Sequence, residues 1–153
     1  MFKVLVSDPI SDMGIQQLMD AKDVTVVKKT GLSEDELIAI IGEYDGLLVR
    51  SQTTVTEKII DAGTNLKVVG RAGVGVDNIN LEAATKRGIV VINAPDGNTI
   101  TTCEHAFAMM MALARHIPQA YAKTISGTWD RKTFLGVELR GKTLGVLGMG
   151  RIG

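Results

Sequence analysis

The sequence predicts an α/β protein: a parallel, doubly wound sheet followed by the opening strand of a second sheet. Three observations carry this. Short apolar runs alternate with helical segments from residue 3 to residue 92, and the runs are continuous in the way of strands buried on both faces. Strand–helix–strand alternation with no hairpin chemistry between the runs requires crossover connections, which are right-handed between parallel strands. Finally, the apolar residues 143–147 lead straight into Gly148-Met149-Gly150-Arg151-Ile152-Gly153, the Gly-x-Gly-x-x-Gly spacing of a dinucleotide-binding turn.

In order, residues 3–7 read as a strand that Asp8-Pro9 stops. Ser11 caps a helix over 12–21, with Met13, Ile15, Leu18 and Met19 as its apolar face. A second strand covers 24–27, and Ser33 with Glu36 makes a capping box for a helix over 34–41. The third strand, 46–49, ends at Arg50, and Thr56 caps a helix over 57–62. The fourth, 67–69, runs into the glycine-rich stretch 70–75. Asn80 then caps a helix over 81–87, Gly88 closes it, and 89–92 form a fifth strand. Residues 93–98 are turn chemistry, and a domain boundary is placed there. The helix over 102–115 is apolar nearly all round through Ala106, Phe107, Met109, Met110, Met111 and Leu113, so it is expected to be covered on most sides. A further helix spans 119–126 after Pro118, and an irregular arm over 127–136 carries Trp129.

Composition narrows the function. Seventeen Lys and Arg balance seventeen Asp and Glu, leaving no excess positive charge for nucleic acid or an anionic membrane. No apolar window reaches spanning length, and the single Cys103 cannot form an internal disulfide, so a cytoplasmic protein is expected. Neither metal-ligand spacing nor a serine nucleophile elbow is found. Ligands of open parallel sheets bind beyond the carboxyl ends of the strands, where both Arg50 and Arg71 fall. Guanidinium forks match carboxylate and phosphate oxygens, so two at one rim predict an anionic small molecule. Taken singly, each arginine reads better as a solvated surface charge; their common sheet edge, with Arg71 inside a glycine loop, turns the reading toward a ligand. Gly73-Val74-Gly75 can present successive amides as a nest for a carboxylate, whereas Asp77 and Asn78 read as cap and turn. His105 and His116 are assigned structural places away from the rim.

Together, Arg50, the loop Gly70-Arg71-Ala72-Gly73-Val74-Gly75-Val76-Asp77-Asn78, residues 93–98, Trp129-Asp130-Arg131 and the terminal glycine turn resemble the D-isomer-specific 2-hydroxyacid dehydrogenases along the whole chain. The resemblance implies a flavodoxin-like substrate-binding domain over 1–98. It implies a hinge helix and the first part of an NAD-binding Rossmann domain over 99–153, cut at the glycine turn. The activity implied is NAD-dependent oxidation of a phosphorylated 2-hydroxy acid, 3-phospho-D-glycerate, at the start of serine synthesis. Arg50 and Arg71 would hold the phosphate, the amides of Val74 and Gly75 the carboxylate, and Val74 would also abut the nicotinamide. Gly148, Gly150, Arg151, Ile152 and Gly153 would carry the NAD pyrophosphate. Arg131 would reach the active site of a partner subunit in a homo-oligomer formed through residues 100–140. The family's catalytic arginine and Glu–His pair fall downstream of Gly153, so no catalytic residue is expected here and the chain by itself is expected to be inactive. Two alternatives stay open: another member such as a glyoxylate or hydroxypyruvate reductase, and a non-catalytic, NAD-sensing module resembling a co-repressor.

Overall fold

Five short strands, β1 (Phe2–Val6), β2 (Val24–Lys28), β3 (Gly46–Val49), β4 (Val68–Arg71) and β5 (Val90–Asn93), pair in parallel in the order β2-β1-β3-β4-β5. The computed structural model describes residues 1–153, which divide into two units, Met1–Gly97 and Asn98–Gly153. All five strands lie in the first. They are linked by α1 (Asp12–Met19), α2 (Glu34–Ile41), α3 (Glu57–Ala62) and α4 (Leu81–Lys86). From β1 the chain steps outward to β2, then returns past β1 to β3 and continues in one direction. Right-handed crossovers therefore put α1 on one face of the sheet and α2, α3 and α4 on the other. This is the flavodoxin-like order, and its ligand crevice opens where the direction reverses, between the carboxyl ends of β1 and β3.

Each of the four helices starts where a side chain can take an amide that the helix leaves bare. Ser11 accepts from the Gly14 amide at 3.3 Å, Thr56 from Ile59 at 3.5 Å and Asn80 from Ala83 at 3.0 Å. Ser33 and Glu36 bond reciprocally, at 3.3 and 2.8 Å, as the capping box requires. Leu37 and Ile41 of α2, Ile59 and Ile60 of α3 and Ala83 and Ala84 of α4 then pack on Leu5, Leu47, Val49 and Val69 to form the core. The other face is barer toward β5, where Val90 and Ile92 stay 58% and 55% exposed. At the amino edge the Asp45 carboxylate takes the Lys3 amide at 2.9 Å and the Lys67 ammonium at 2.7 Å, tying β1 to the approach to β4.

The second unit departs from expectation in four respects. α5 (Thr99–Ala114) begins at Thr99 rather than residue 102, with no side-chain cap from Asn98 to mark its start. α6 (Ile117–Ile125) takes Pro118 into its first turn instead of following it, a place where a missing N–H breaks no helix bond. His116, with φ at 52°, turns the chain between them. Residues 143–147 form no strand, because a strand exists through its ladder partners and no other segment of the chain pairs with them. Nor is α5 covered: none of its residues is buried, and Phe107, Met109, Met111 and Leu113 are exposed.

Core burial in the first unit sets its stability. Ile60→Ala, at a fully buried position, is expected to lower the unfolding free energy by about 2–5 kcal/mol in urea titration. Met13→Ala, at an exposed one, should change it by less than about 0.5 kcal/mol.

Candidate functional site

Ser7 and Asp8, directly after β1, are the buried polar residues of the chain, each 1% exposed. Because β1 pairs with β3, Asp8 lies beside the segment that leaves β3. Its carboxylate accepts the amides of Arg50 at 2.6 Å, Gln52 at 3.0 Å and Thr53 at 3.1 Å, and the Thr53 hydroxyl as well. Ser7 Oγ shares a 3.0 Å hydrogen bond with that hydroxyl. Burial pushes the Asp8 carboxyl up, but the Thr53 hydroxyl and the amides of Arg50, Thr53 and Gln52 together outweigh it, so the group sits below the ordinary carboxylate range. One buried charge thus organises the loop after β3.

That loop begins with Arg50, whose backbone is held while its exposed guanidinium bonds nothing in the chain. Arg71 lies next to it, since Val49 and Arg71 are paired across β3 and β4. The two are together at one rim, yet only one of them is free. The Arg71 side chain is just 15% exposed, and its Nη2 stands 3.9 Å from the Asp77 carboxylate. Its Nε donates to the Arg50 carbonyl at 3.0 Å and its Nη1 to the Gly75 carbonyl. Arg71 is thus a brace between two loops as well as a charge, which the side-chain type alone does not reveal.

Residues 73–75 arch over this brace. A Cβ on Gly73 would stand 3.0 Å from Arg71 Nη1, and one on Gly75 would stand 3.1 Å from Asp77 Oδ1. Neither glycine has a positive φ. They leave close room beneath the loop for these side-chain ends, and neither makes the left-handed turn of an anion nest. Asn93 Nδ2 donates to the Val74 carbonyl at 2.6 Å, and the Ala94 amide to Gly73 at 3.0 Å, pinning the loop from the β5 side. The amides of Val74 and Gly75 donate to no group of the chain, so they remain available to an anion. Sequence reasoning missed Asp8 and Asn78. Asp8 reads as a strand terminator, although an acidic residue at the carboxyl end of a central strand was a signal. Asn78 bonds the carbonyls of Arg50 and Thr53, and its spacing gives no hint of that.

The remaining named residues lie in the second unit. Gly148 has φ at 101°, and a Cβ on Gly153 would overlap the Gly148 carbonyl, so both positions require glycine. Gly150 faces open space, where backbone can approach a ligand. With Arg151 and Ile152 between them, these residues fit the turn that cradles a dinucleotide pyrophosphate. Beside the turn, Cys103, Ala106, Phe107 and Met110 of α5 line an apolar cleft of about 500 Å³ with residues 144–148. Trp129 and Arg131 are exposed and share a cleft with Lys123 of α6. His105 is exposed, not packed.

Asp8 gives a pH-dependent expectation. A carboxyl lowered in the folded state adds stability that is fully present above its unfolded value of about 3.9 and is lost as pH falls through the folded value. Asp8→Asn should therefore lower stability at pH 7 and flatten the acid limb of the unfolding free energy measured from pH 7 to pH 2.

A family profile described as the D-isomer specific 2-hydroxyacid dehydrogenase catalytic domain matches residues 4–132. D-3-phosphoglycerate dehydrogenase of Synechocystis is 60% identical over the whole chain, which spans 27% of that relative's length. Among solved structures, a Thermus thermophilus protein superposes with a TM-score of 0.88 at 32% identity, over 98% of this chain and 50% of its own. NAD-bound 3-phosphoglycerate dehydrogenase of Entamoeba histolytica gives 0.76 at 30% identity, over 99% of this chain and 47% of its own. With its parallel sheet and its matched length, the chain belongs to the D-isomer specific 2-hydroxyacid dehydrogenase family.

Proposed function

We propose that the chain is the amino-terminal portion of an NAD-dependent D-3-phosphoglycerate dehydrogenase, which oxidises the C2 hydroxyl of 3-phospho-D-glycerate to a ketone in serine synthesis. The observation that carries the reading is the Arg50 guanidinium, unpaired and exposed at the mouth of the β1–β3 crevice on a backbone that Asp8 holds. A phosphate dianion needs such a partner, and charge-assisted fork contacts are the strongest single contacts it finds. The 60% identity to a relative of that name supports the same substrate.

In this reading Arg50 pairs with the phosphate. Arg71 adds positive charge at the same rim while its Nε and Nη1 stay on the Arg50 and Gly75 carbonyls. The amides of Val74 and Gly75 take the carboxylate, which orients C2, and Val74 borders the nicotinamide. Gly148, Gly150, Arg151, Ile152 and Gly153 hold the NAD pyrophosphate through backbone amides. Bound NAD supplies the hydride acceptor. The residues that move the hydroxyl proton are assigned to sequence beyond residue 153. Arg131 serves a neighbouring copy in a homo-oligomer built through residues 100–140, and the setting is the cytoplasm. No helix is long and apolar enough to cross a membrane.

Two measurements test this. In the full-length protein, Arg50→Ala should lower kcat/KM for 3-phosphoglycerate about 10- to 150-fold, as hydrogen bonds to a charged group are worth about 1.5–3 kcal/mol. The loss on an unphosphorylated 2-hydroxy acid should be far smaller, and equal losses favour a glyoxylate or hydroxypyruvate reductase. NAD titrated against Trp129 fluorescence in the 153-residue chain should show no saturation at micromolar concentrations, because the helix whose N-terminus would complete the cradle lies outside these residues.

A further inference from the structure

We propose that Asn78 is a positioning residue that fixes the guanidinium of Arg50 for the substrate phosphate; this rests on the reading of Arg50 given above. Asn78 lies between β4 and α4, and its amide group reaches across to the loop after β3. Its Nδ2 donates to the Arg50 carbonyl at 3.0 Å and to the Thr53 carbonyl at 2.7 Å. An asparagine side chain has two N–H donors and one oxygen acceptor. Both donors serve the backbone of one neighbouring loop, while the acceptor, Oδ1, is buried and bonds nothing. A buried acceptor left bare opposes folding. The two donors satisfy carbonyls that would otherwise lose a partner, and both carbonyls belong to the loop that carries Arg50, so what the amide adds beyond stability is position.

The position it adds is that of Arg50. Asp8 holds the loop from one side through the amides of Arg50, Gln52 and Thr53. Asn78 holds it from another through the carbonyls of Arg50 and Thr53, and Arg71 Nε adds a second donor to the Arg50 carbonyl at 3.0 Å. The Arg50 backbone is thus bonded once at its N–H and twice at its carbonyl, each time by a side chain from another part of the fold. Its own guanidinium bonds nothing in the chain. Fixing the stem of a long flexible side chain reduces the freedom lost when its charge engages a ligand. Without Asn78 the charge remains but its root moves, so the loss should fall on phosphate binding rather than on turnover.

The test uses the full-length protein carrying Asn78→Ala, or Asn78→Leu, which keeps about the same size, loses both donors and adds no charge. Each is measured alone and combined with Arg50→Ala, on 3-phosphoglycerate and on an unphosphorylated 2-hydroxy acid, with melting curves alongside. Each Asn78 variant is expected to raise KM for 3-phosphoglycerate about five- to twentyfold with kcat within about twofold. KM for the unphosphorylated acid should stay within about twofold, and adding either change to Arg50→Ala should cost nothing more. Equal losses on both substrates, a loss confined to kcat, or losses that multiply in the double variant would overturn the role of Asn78 while leaving a phosphate-selective Arg50 intact. An Arg50→Ala variant without phosphate selectivity would overturn both.

Discussion

The rim of the sheet depends on a single buried charge. Asp8 follows β1, and the strand order sets β1 beside β3 at the point where the chain reverses its direction across the sheet. A carboxylate this deep is stable only if donors surround it, and the amides leaving β3 are the donors within reach. Meeting that requirement fixes the loop after β3. The loop in turn presents Arg50 outward and offers its carbonyl inward to Arg71 and Asn78. Arg71 then reaches the Gly75 carbonyl, so the loop after β4 is set by the same chain of contacts. The exposed Arg50 guanidinium, the free amides of the loop after β4 and the strand order are joined through hydrogen bonds that begin at one acidic residue.

Much of this was legible in the sequence, for local reasons. Ser11, Ser33 with Glu36, Thr56 and Asn80 announce helix starts because a capping bond spans only two or three residues. The strands were legible because Val- and Leu-rich runs suit a buried parallel sheet, and their ends placed Arg50 and Arg71 at one rim. What depends on distant partners was not legible. Nothing in the spacing of Arg71 says that its fork turns inward to two carbonyls. Asp8 and Asn78 act across forty-two and twenty-eight positions of sequence. Residues 143–147 have the composition of a strand, but composition supplies no partner.

The two units also differ in what holds them. The first encloses a core in which Leu5, Ile41, Val49, Ile60 and Val69 are fully covered. The second buries no residue of α5 or α6 and exposes Phe107, Met109, Leu113, Ile117 and Ile125. Apolar surface of that extent is what assembly or further packing covers. The stability of this rim is therefore a property of the first unit, where Asp8, Arg50, Arg71 and Asn78 all reside.

A crystal structure of the full-length protein with 3-phosphoglycerate bound tests the central claim most directly. The claim requires the phosphate oxygens within about 3 Å of the Arg50 guanidinium, with Arg71 still on the Arg50 and Gly75 carbonyls and Asp8 still on the loop. A phosphate held elsewhere, with Arg50 left in solvent, would contradict it.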